Sequence, residues 1–367
     1  MNILLTISRL IVGILFIFSG LVKANDPLGL SYKMQEFFEV WGMHGLNEFT
    51  LPFSIVMIAF EIIAGVAVII GFHFRLFSWL LLLLIIFFTF LTGYAVLSGK
   101  IRECGCFGDC IKLTAMDSFI KDLILLGLIL FLFAFRSKVK PIFPRVVNIF
   151  LLLISTLVAF GLQFYVLHHL PVVDCLPYKK GNNVLEKMKI PAGAIPDSTV
   201  ITFVYNKNGQ QVEFTADKFP SDFDDSYSFV KRYDKLVRKG NAEAAIKDFS
   251  LTDSTGANVT QAYLGTPGKK ILVFVHRIPG DLEKHSAKLV SAYEQAGKLN
   301  ADFSVVTSSP EETRAAFDKI FAGRPVRYFT SDVIAIKTAS RSPITIYRLD
   351  GAVVEQKWSY EDNYDIK

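Results

Sequence analysis

The sequence predicts a multi-domain chain, with an α-helical membrane bundle in its first half and a soluble α/β domain in its second. Three observations predict it. Hydrophobic residues make up 51 % of the 367 and Phe alone numbers 33, too apolar for an ordinary soluble protein. Five apolar segments, 3–22, 52–71, 76–97, 118–135 and 146–167, each come near the roughly 20 residues that a helix needs to cross a bilayer. After residue 167 no such segment recurs, and strand and helix patterns alternate instead.

The first segment has the length of a signal peptide but no small-x-small cleavage site, and further spans follow it, so it reads as a retained helix. The net charge of +5 is small, and the basic clusters flank apolar segments, which ties them to a membrane and sets nucleic-acid binding aside. The loop after the fourth segment carries Arg136, Lys138, Lys140 and Arg145 with no acid, which places it in the cytoplasm. Counting back, the N-terminus is cytoplasmic and the 23–51 and 98–117 loops face outward. Counting forward, Cys175 and all that follows lie outside. Lys100, Arg102 and Lys112 vote the other way, but Glu103, Asp109 and Asp117 accompany them.

Within the first outward loop, Leu30, Met34, Phe37, Phe38 and Trp41 recur at helical spacing with Lys33, Glu36 and Glu39 mostly opposite. That is the pattern of an interfacial amphipathic helix, either a simple cover or a lid over a redox pocket. Arg9 and Glu61 fall inside spans, about 10 Å and about 15 Å from the inner face at 1.5 Å per residue, so the two can meet, either as functional intramembrane charges or as a structural Arg9–Glu61 pair joining the first two spans. Gly13, Gly20 and Gly65 suit close helix packing. His168 and His169 read as interfacial residues at the outer end of the fifth span.

The run RLIVGILFIFSGLVK, with Arg9, Gly13, Phe16, Ser19, Gly20 and Lys23, resembles the first helix of DoxX-type membrane proteins, and FEIIAGVAVIIGFHFR, with Glu61, Gly65 and Gly71, resembles their second. CGCFG followed by a span resembles the MauE branch of that group, which is associated with disulfide formation in a periplasmic enzyme. The resemblance covers about 3–135. It implies a DoxX-like four-helix bundle, related in architecture to vitamin K epoxide reductase, in a bacterial inner (cytoplasmic) membrane. The fifth span, within 136–170, lies outside that pattern.

The soluble half opens with a linker over 171–198 that holds Pro171, Pro177, Gly181, Pro191 and Pro196. Segments 200–205 and 211–215 around Asn208-Gly209 read as a β-hairpin, and 227–239 reads as a helix closed by Gly240. The linker and this small unit fill 171–247. From Asp248 the order is a hairpin around Ser254-Thr255-Gly256, a strand 271–275, a helix 282–299, a strand 303–307 and a capped helix opened by Ser309-Pro310-Glu311-Glu312. A short strand and helix, a strand 344–348, an Asp350-Gly351 turn and a strand 353–358 complete it. This order resembles a thioredoxin-like fold over about 248–358, and DFSLTDSTGANVT resembles the opening hairpin of its TlpA and peroxiredoxin branches. Ser342-Pro343 matches the position of that family's cis-proline. Where the family carries Cys-x-x-Cys, this chain has His276-Arg277-Ile278-Pro279-Gly280-Asp281, so the domain cannot run dithiol chemistry of its own.

The candidate chemistry therefore rests on the four cysteines, Cys104, Cys106, Cys110 and Cys175, all on one oxidising face by the topology above. Thiol–disulfide exchange needs two sulfurs close enough to bridge and one open to attack. Cys104 and Cys106 are one residue apart, and Gly105 and Gly108 give the backbone freedom to bring sulfurs together. A Cys-x-Cys bridge closes a small ring of the labile, oxidising kind. Cys110 is a resolving partner, and Cys175 can bridge back to the loop or hand electrons on. Static disulfides are the bland alternative. A four-thiolate metal site is a third reading, disfavoured by the spacing and the compartment, so no metal is expected. The analogies imply a quinone as electron sink and a periplasmic client or partner docking on the cysteine-free domain. A non-enzymatic envelope anchor is the competing function.

Overall fold

The computed structural model describes residues 2–101, 105, 107–111, 113–196, 198–238, 240, 242–364 and 366. The first half is helical: α1 (Asn2–Ala24), α2 (Pro27–Val40), α3 (Thr50–Ile70), α4 (Phe74–Ser98), α5 (Ala115–Ala134) and α6 (Arg145–His168). Among the described residues, four helices have the length and apolar composition to cross a membrane: α1, α3 with the turn before it, α4 and α6. The fourth expected span, α5, is 20 residues long but carries Asp117, Lys121 and Asp122 in its first half.

Glycine sets the closest helix contact. A Cβ on Gly13 would lie 2.9 Å from the Gly65 carbonyl oxygen and one on Gly65 would lie 2.8 Å from the Gly13 oxygen, so α1 and α3 touch backbone to backbone. The same antiparallel register sets Gly20 against Ile62. α4 and α5 form the second antiparallel pair, with Thr92 beside Asp122 at one end and Trp79 beside Phe133 at the other. Val12, Phe16, Val68, Leu81, Ile85 and Ile129 fill the space between the pairs. α6 runs along the flank of α3, where Gln163 Nε2 donates to the Ile55 carbonyl at 3.3 Å.

The second half comprises α7 (Val184–Lys187), β1 (Ser198–Lys207), β2 (Gln210–Thr215), β3 (Tyr227–Arg238), α8 (Thr260–Gly265), β4 (Lys269–Val275), α9 (Leu282–Lys298), β5 (Asp302–Thr307), α10 (Pro310–Phe321), β6 (Arg327–Thr330), α11 (Val333–Ala339), β7 (Ile344–Asp350) and β8 (Val353–Ser359). The strands form a three-stranded antiparallel sheet, β2-β1-β3, and a five-stranded mixed sheet, β6-β5-β4-β7-β8. In the latter β4, β5 and β6 are parallel, and β7 and β8 run against them. Central β4 is buried on both faces and reads ILVFV for that reason. Leu272 and Phe274 join one core with Tyr347 and Phe329, while Ile271 and Val273 join another with Leu289 and Phe317.

Four expectations change here. Segment 227–239 was expected to be a helix, but its described residues form strand β3, paired with the whole of β1. Phe229, Tyr233, Leu236 and Val237 have helical spacing, yet pairing with ten consecutive residues of β1 satisfies the backbone better than an isolated helix would. The 171–247 unit also divides: Val184 and Gly181 donate to Ala352 and Val354 beside β8, and Tyr178 and Val184 lie in the core of the larger sheet. Among the described residues no peptide bond is cis, so Pro343 follows a trans bond. Its carbonyl accepts from the His276 and Arg277 amides at 2.9 and 3.3 Å, a link across the sheet end. At α10, Ser309 is the N-cap with Pro310 at the first helical position, but its side chain makes no capping bond. Its own amide is drawn to Thr307 Oγ1 at 3.1 Å instead.

Candidate thiol site and the domain docked on it

Local sequence builds the floor of the site. Asp26-Pro27 opens α2 as N-cap and first helical residue, and the Asp26 carboxylate accepts from the Gly29 amide at 3.1 Å. α2 then lies over the bundle with Leu30 and Phe37 buried beneath it. The described residues of the cysteine loop settle against this helix. Gly105 and Gly108 adopt left-handed φ of +68° and +56°, and a Cβ on Gly105 would come within 2.9 Å of the Lys33 side chain. Phe107 packs on Phe18 of α1, and Lys121 of α5 lies over its ring at 5.2 Å.

Of the four cysteines, Cys110 and Cys175 are joined as a disulfide with Cα atoms 4.9 Å apart. Cys104 and Cys106 lie outside the described residues, although Gly105 between them is placed. The bridge ties the loop to the strand of chain leaving α6. Next to Cys175, the Val173 amide donates to Asn25 Oδ1 at 2.9 Å and Asn25 Nδ2 donates to the Val173 carbonyl at 2.8 Å. Asp174 accepts from Lys357 of β8 at 2.7 Å.

The roof is the sheet-containing C-terminal domain. Arg341, only 5 % exposed, donates through Nε to Asp26 at 2.8 Å and through Nη2 to Asp109 at 2.6 Å. Burial works against its charge, yet the two carboxylates outweigh burial and hold its pKa above the usual guanidinium value. One residue further on begins the Ser342-Pro343 turn, and Asp109 directly precedes Cys110. His276, which opens the segment standing in place of the thioredoxin-like Cys-x-x-Cys pattern, meets Tyr32 of α2 edge to face at 6.2 Å. Burial lowers the His276 pKa to about 4, with Lys337, Arg277 and Arg341 acting in the same direction. Lys337 and Arg341 both lie over the Tyr32 ring. His168 pairs with Glu361 at 2.7 Å and His169 with Asp362, so these histidines fasten the domain to the end of α6.

An Arg9–Glu61 pair does not form. Glu61 is bound by Lys23 Nζ at 2.6 and 2.8 Å and by Ser19 Oγ at 3.1 Å, whereas Arg9 donates to the Val68 and Ile69 carbonyls at 3.2 and 2.5 Å. Depth along each helix had brought Arg9 and Glu61 to similar levels. The Gly13–Gly65 contact fixes the actual register, which carries Arg9 past Glu61 toward the other end of α3. Lys121 and Asp122 escaped the sequence reading, and Lys23 entered it only through the first-helix resemblance, though each is an ionisable residue within an apolar helix. Arg341 had no local signal: it becomes central only because two acids distant in sequence converge on it.

Two cavities flank the loop. One, of about 530 Å³, lies under α2 between Leu30, Phe37, Trp41, Phe53 and Phe88, with Gly105 at its rim; among the described residues Lys33 and Thr92 are its charged and hydroxyl-bearing side chains. The other, of about 30 Å³, lies under Phe107 and is lined by Ser19, Glu61, Lys121 and Asp122.

Comparison with known proteins bears on the same regions. Residues 1–135 match the family model described as methylamine utilisation protein MauE, and residues 199–239 match one described as a domain of unknown function (DUF8463). The chain is 30 % identical over 134 residues to Protein TlpB of Flavobacterium psychrophilum, a match that covers 35 % of this chain and 36 % of that protein. The chain thus spans little more than a third of the length of this curated relative. No solved structure matches. The MauE match and the four apolar helices together mark a membrane protein.

Proposed function

We propose that this chain is a membrane thiol–disulfide oxidoreductase, or the accessory subunit of one, in a bacterial inner membrane. Its N-terminus is cytoplasmic, five helices span the bilayer, and Cys104, Cys106, Cys110 and Cys175 face the periplasm. The C-terminal half is a thioredoxin-like docking module, a reading supported by the strand order β6-β5-β4-β7-β8 and by helices α9 and α10 between its parallel strands. The observation that carries the proposal is where that module sits. Its Arg341-Ser342-Pro343 turn and its His276 rest on α2 and on the loop of the cysteines, held by the Arg341–Asp109 contact.

In this reading Cys104 and Cys106 form the pair that exchanges with a client, taking two electrons as their disulfide becomes two thiols. Cys110–Cys175 holds the loop in place and is the reserve partner. Re-oxidation of the pair needs an acceptor of two electrons and two protons, which a bound membrane quinone supplies. The residues fit such a group: the cavity under α2 lies within the roughly 300–1,000 Å³ of small-molecule sites, its walls are aromatic and aliphatic, and Gly105 forms part of its rim. With a quinone bound there, Phe37, Trp41 and Phe88 would hold its ring and α2 would shield it from water.

A second reading, an envelope anchor with static disulfides, draws on Cys110–Cys175 being built into the strap between the two halves. Thiol trapping in living cells separates the two. Exchange requires that quinone depletion or loss of a client shift the redox state of Cys104 and Cys106, and that Cys106→Ala capture a mixed disulfide. Cysteines that stay oxidised under every condition leave only the anchor. A periplasm-active reporter fused after Lys180 should be active; an inactive one reverses the proposed sidedness.

A further inference from the structure

Asp122 is a carboxylate inside an apolar helix pair, 1 % exposed, and thiol chemistry on the loop makes no direct use of it. On one side its Oδ2 accepts from Thr92 Oγ1 at 3.1 Å, and Thr92 stands on the wall of the apolar cavity. On its other side its Oδ1 pairs with Lys121 Nζ at 2.7 Å, a cation that a proton on Asp122 would release, and both line the small cavity under Phe107 with Ser19 and Glu61. That cavity, about 30 Å³, has room for one or two water molecules. Beyond it Ser19 donates to Glu61, and Lys23 holds both Glu61 oxygens. Polar groups from α1, α3, α4 and α5 thus form one line from the loop to the apolar cavity, through a region where each has a high cost of burial.

The Thr92 hydroxyl explains the direction of the line. It has one hydrogen and three acceptors within reach: Asp122, the Phe88 carbonyl at 2.9 Å and the Thr89 carbonyl at 3.3 Å. With Asp122 ionised the hydroxyl donates to it. With Asp122 protonated the carboxyl donates to Thr92, and the threonine hydrogen is free to turn to another acceptor. A hydroxyl with two such settings can pass a proton in steps.

We propose that Asp122 and Thr92 form a proton relay into the apolar cavity, serving the reduction of a quinone head group there; this rests on the function proposed above. Oxidation of two thiols to a disulfide releases two electrons and two protons, and quinone takes up two of each to become quinol. The thiol protons leave to water at the loop. Asp122 delivers the two protons in turn through Thr92 to the quinone oxygens and is recharged after each from water in the Glu61 cavity, whose roof is Phe107.

The test uses the full chain in lipid nanodiscs with a short-chain benzoquinone. Trp41 fluorescence reads binding, and stopped-flow thiol oxidation, its pH profile and its solvent deuterium isotope effect read proton delivery. Asp122→Asn and Thr92→Val should each slow thiol oxidation by about 10²–10⁴-fold, the span ascribed to general acid catalysis. Quinone affinity should stay within about twofold, and the isotope effect and pH dependence should change. Thr92→Ser should restore the rate. If Asp122→Asn does not fold, the Thr92→Val and Thr92→Ser pair decides alone. A wild-type protein that neither binds the quinone nor oxidises thiols with it overturns the proposed function and the relay together. A wild-type protein that does both, with variants unchanged in rate, pH profile and isotope effect, overturns the relay only.

Discussion

Glu61 shows what a single buried charge demands. With Lys23 3 % and Glu61 1 % exposed, neither can regain water if its partner is lost. Glu61→Leu should therefore destabilise the bundle by about 3–5 kcal/mol, while Lys23→Met combined with Glu61→Leu should recover most of that loss. Thermal unfolding in detergent checks it, and a double variant as weak as the sum of the singles removes the coupling. His276 makes the second case, this time through pH. Its pKa is lowered from 6.5 to about 4, so the folded state keeps it neutral and the unfolded state protonates first. Its contribution is whole above pH 6.5 and is lost as pH falls toward 4. Domain docking, read by a donor–acceptor pair on α2 and α9, should weaken over that window in the wild type and lose this dependence in His276→Gln. The sequence revealed Glu61 as important but not its partner, because composition gives depth in a membrane and says nothing of helix rotation.

Between elements, the α1–α3 contact leaves no room for a side chain at Gly13 or Gly65. Gly65→Val should separate the two helices and disturb the Lys23–Glu61 pair with them, giving an unfolding midpoint well below that of Gly127→Val, whose site is open. Equal midpoints contradict backbone contact as the organising feature. The helices of the bundle were legible because long apolar runs leave little choice of structure, and α2 because Met34, Phe37 and Trp41 mark one face. Strand β3 was not legible: its aromatic spacing suits a helix, and only β1, which pairs with it, decides the matter. The same holds for Tyr178 and Val184, whose place in the soluble core depends on β8, some 170 residues later in sequence.

Across the whole molecule the two halves meet through ion pairs at Arg341 and Lys357 and through hydrogen bonds at His168 and His169. Arg341 is the most buried of these, and Arg341→Ala would leave Asp26, also buried, without its cation. Docking should loosen markedly in that variant, with protease cleavage near Gly193 and at the loop of Cys110 rising together; unchanged protection assigns docking to the other contacts. Lys357→Ala, which removes a partner from Asp174, should have the smaller effect because the His168 and His169 contacts to the same domain remain. None of this interface was readable beforehand, since Asp26, Asp109 and Arg341 gain meaning only once the fold brings distant stretches together.

The strap through Cys175 has one more consequence. Because the module is tethered to the surface it covers, its local concentration there is on the order of millimolar, as for any short linkage. A client present at micromolar level and seeking the same face must therefore bind about a thousand-fold more tightly than the internal contact does, simply to share occupancy equally. The docked module is in effect a resident competitor for the loop of Cys110. Access to the thiols is then set as much by how firmly Arg341 grips Asp26 and Asp109 as by the reactivity of the sulfurs.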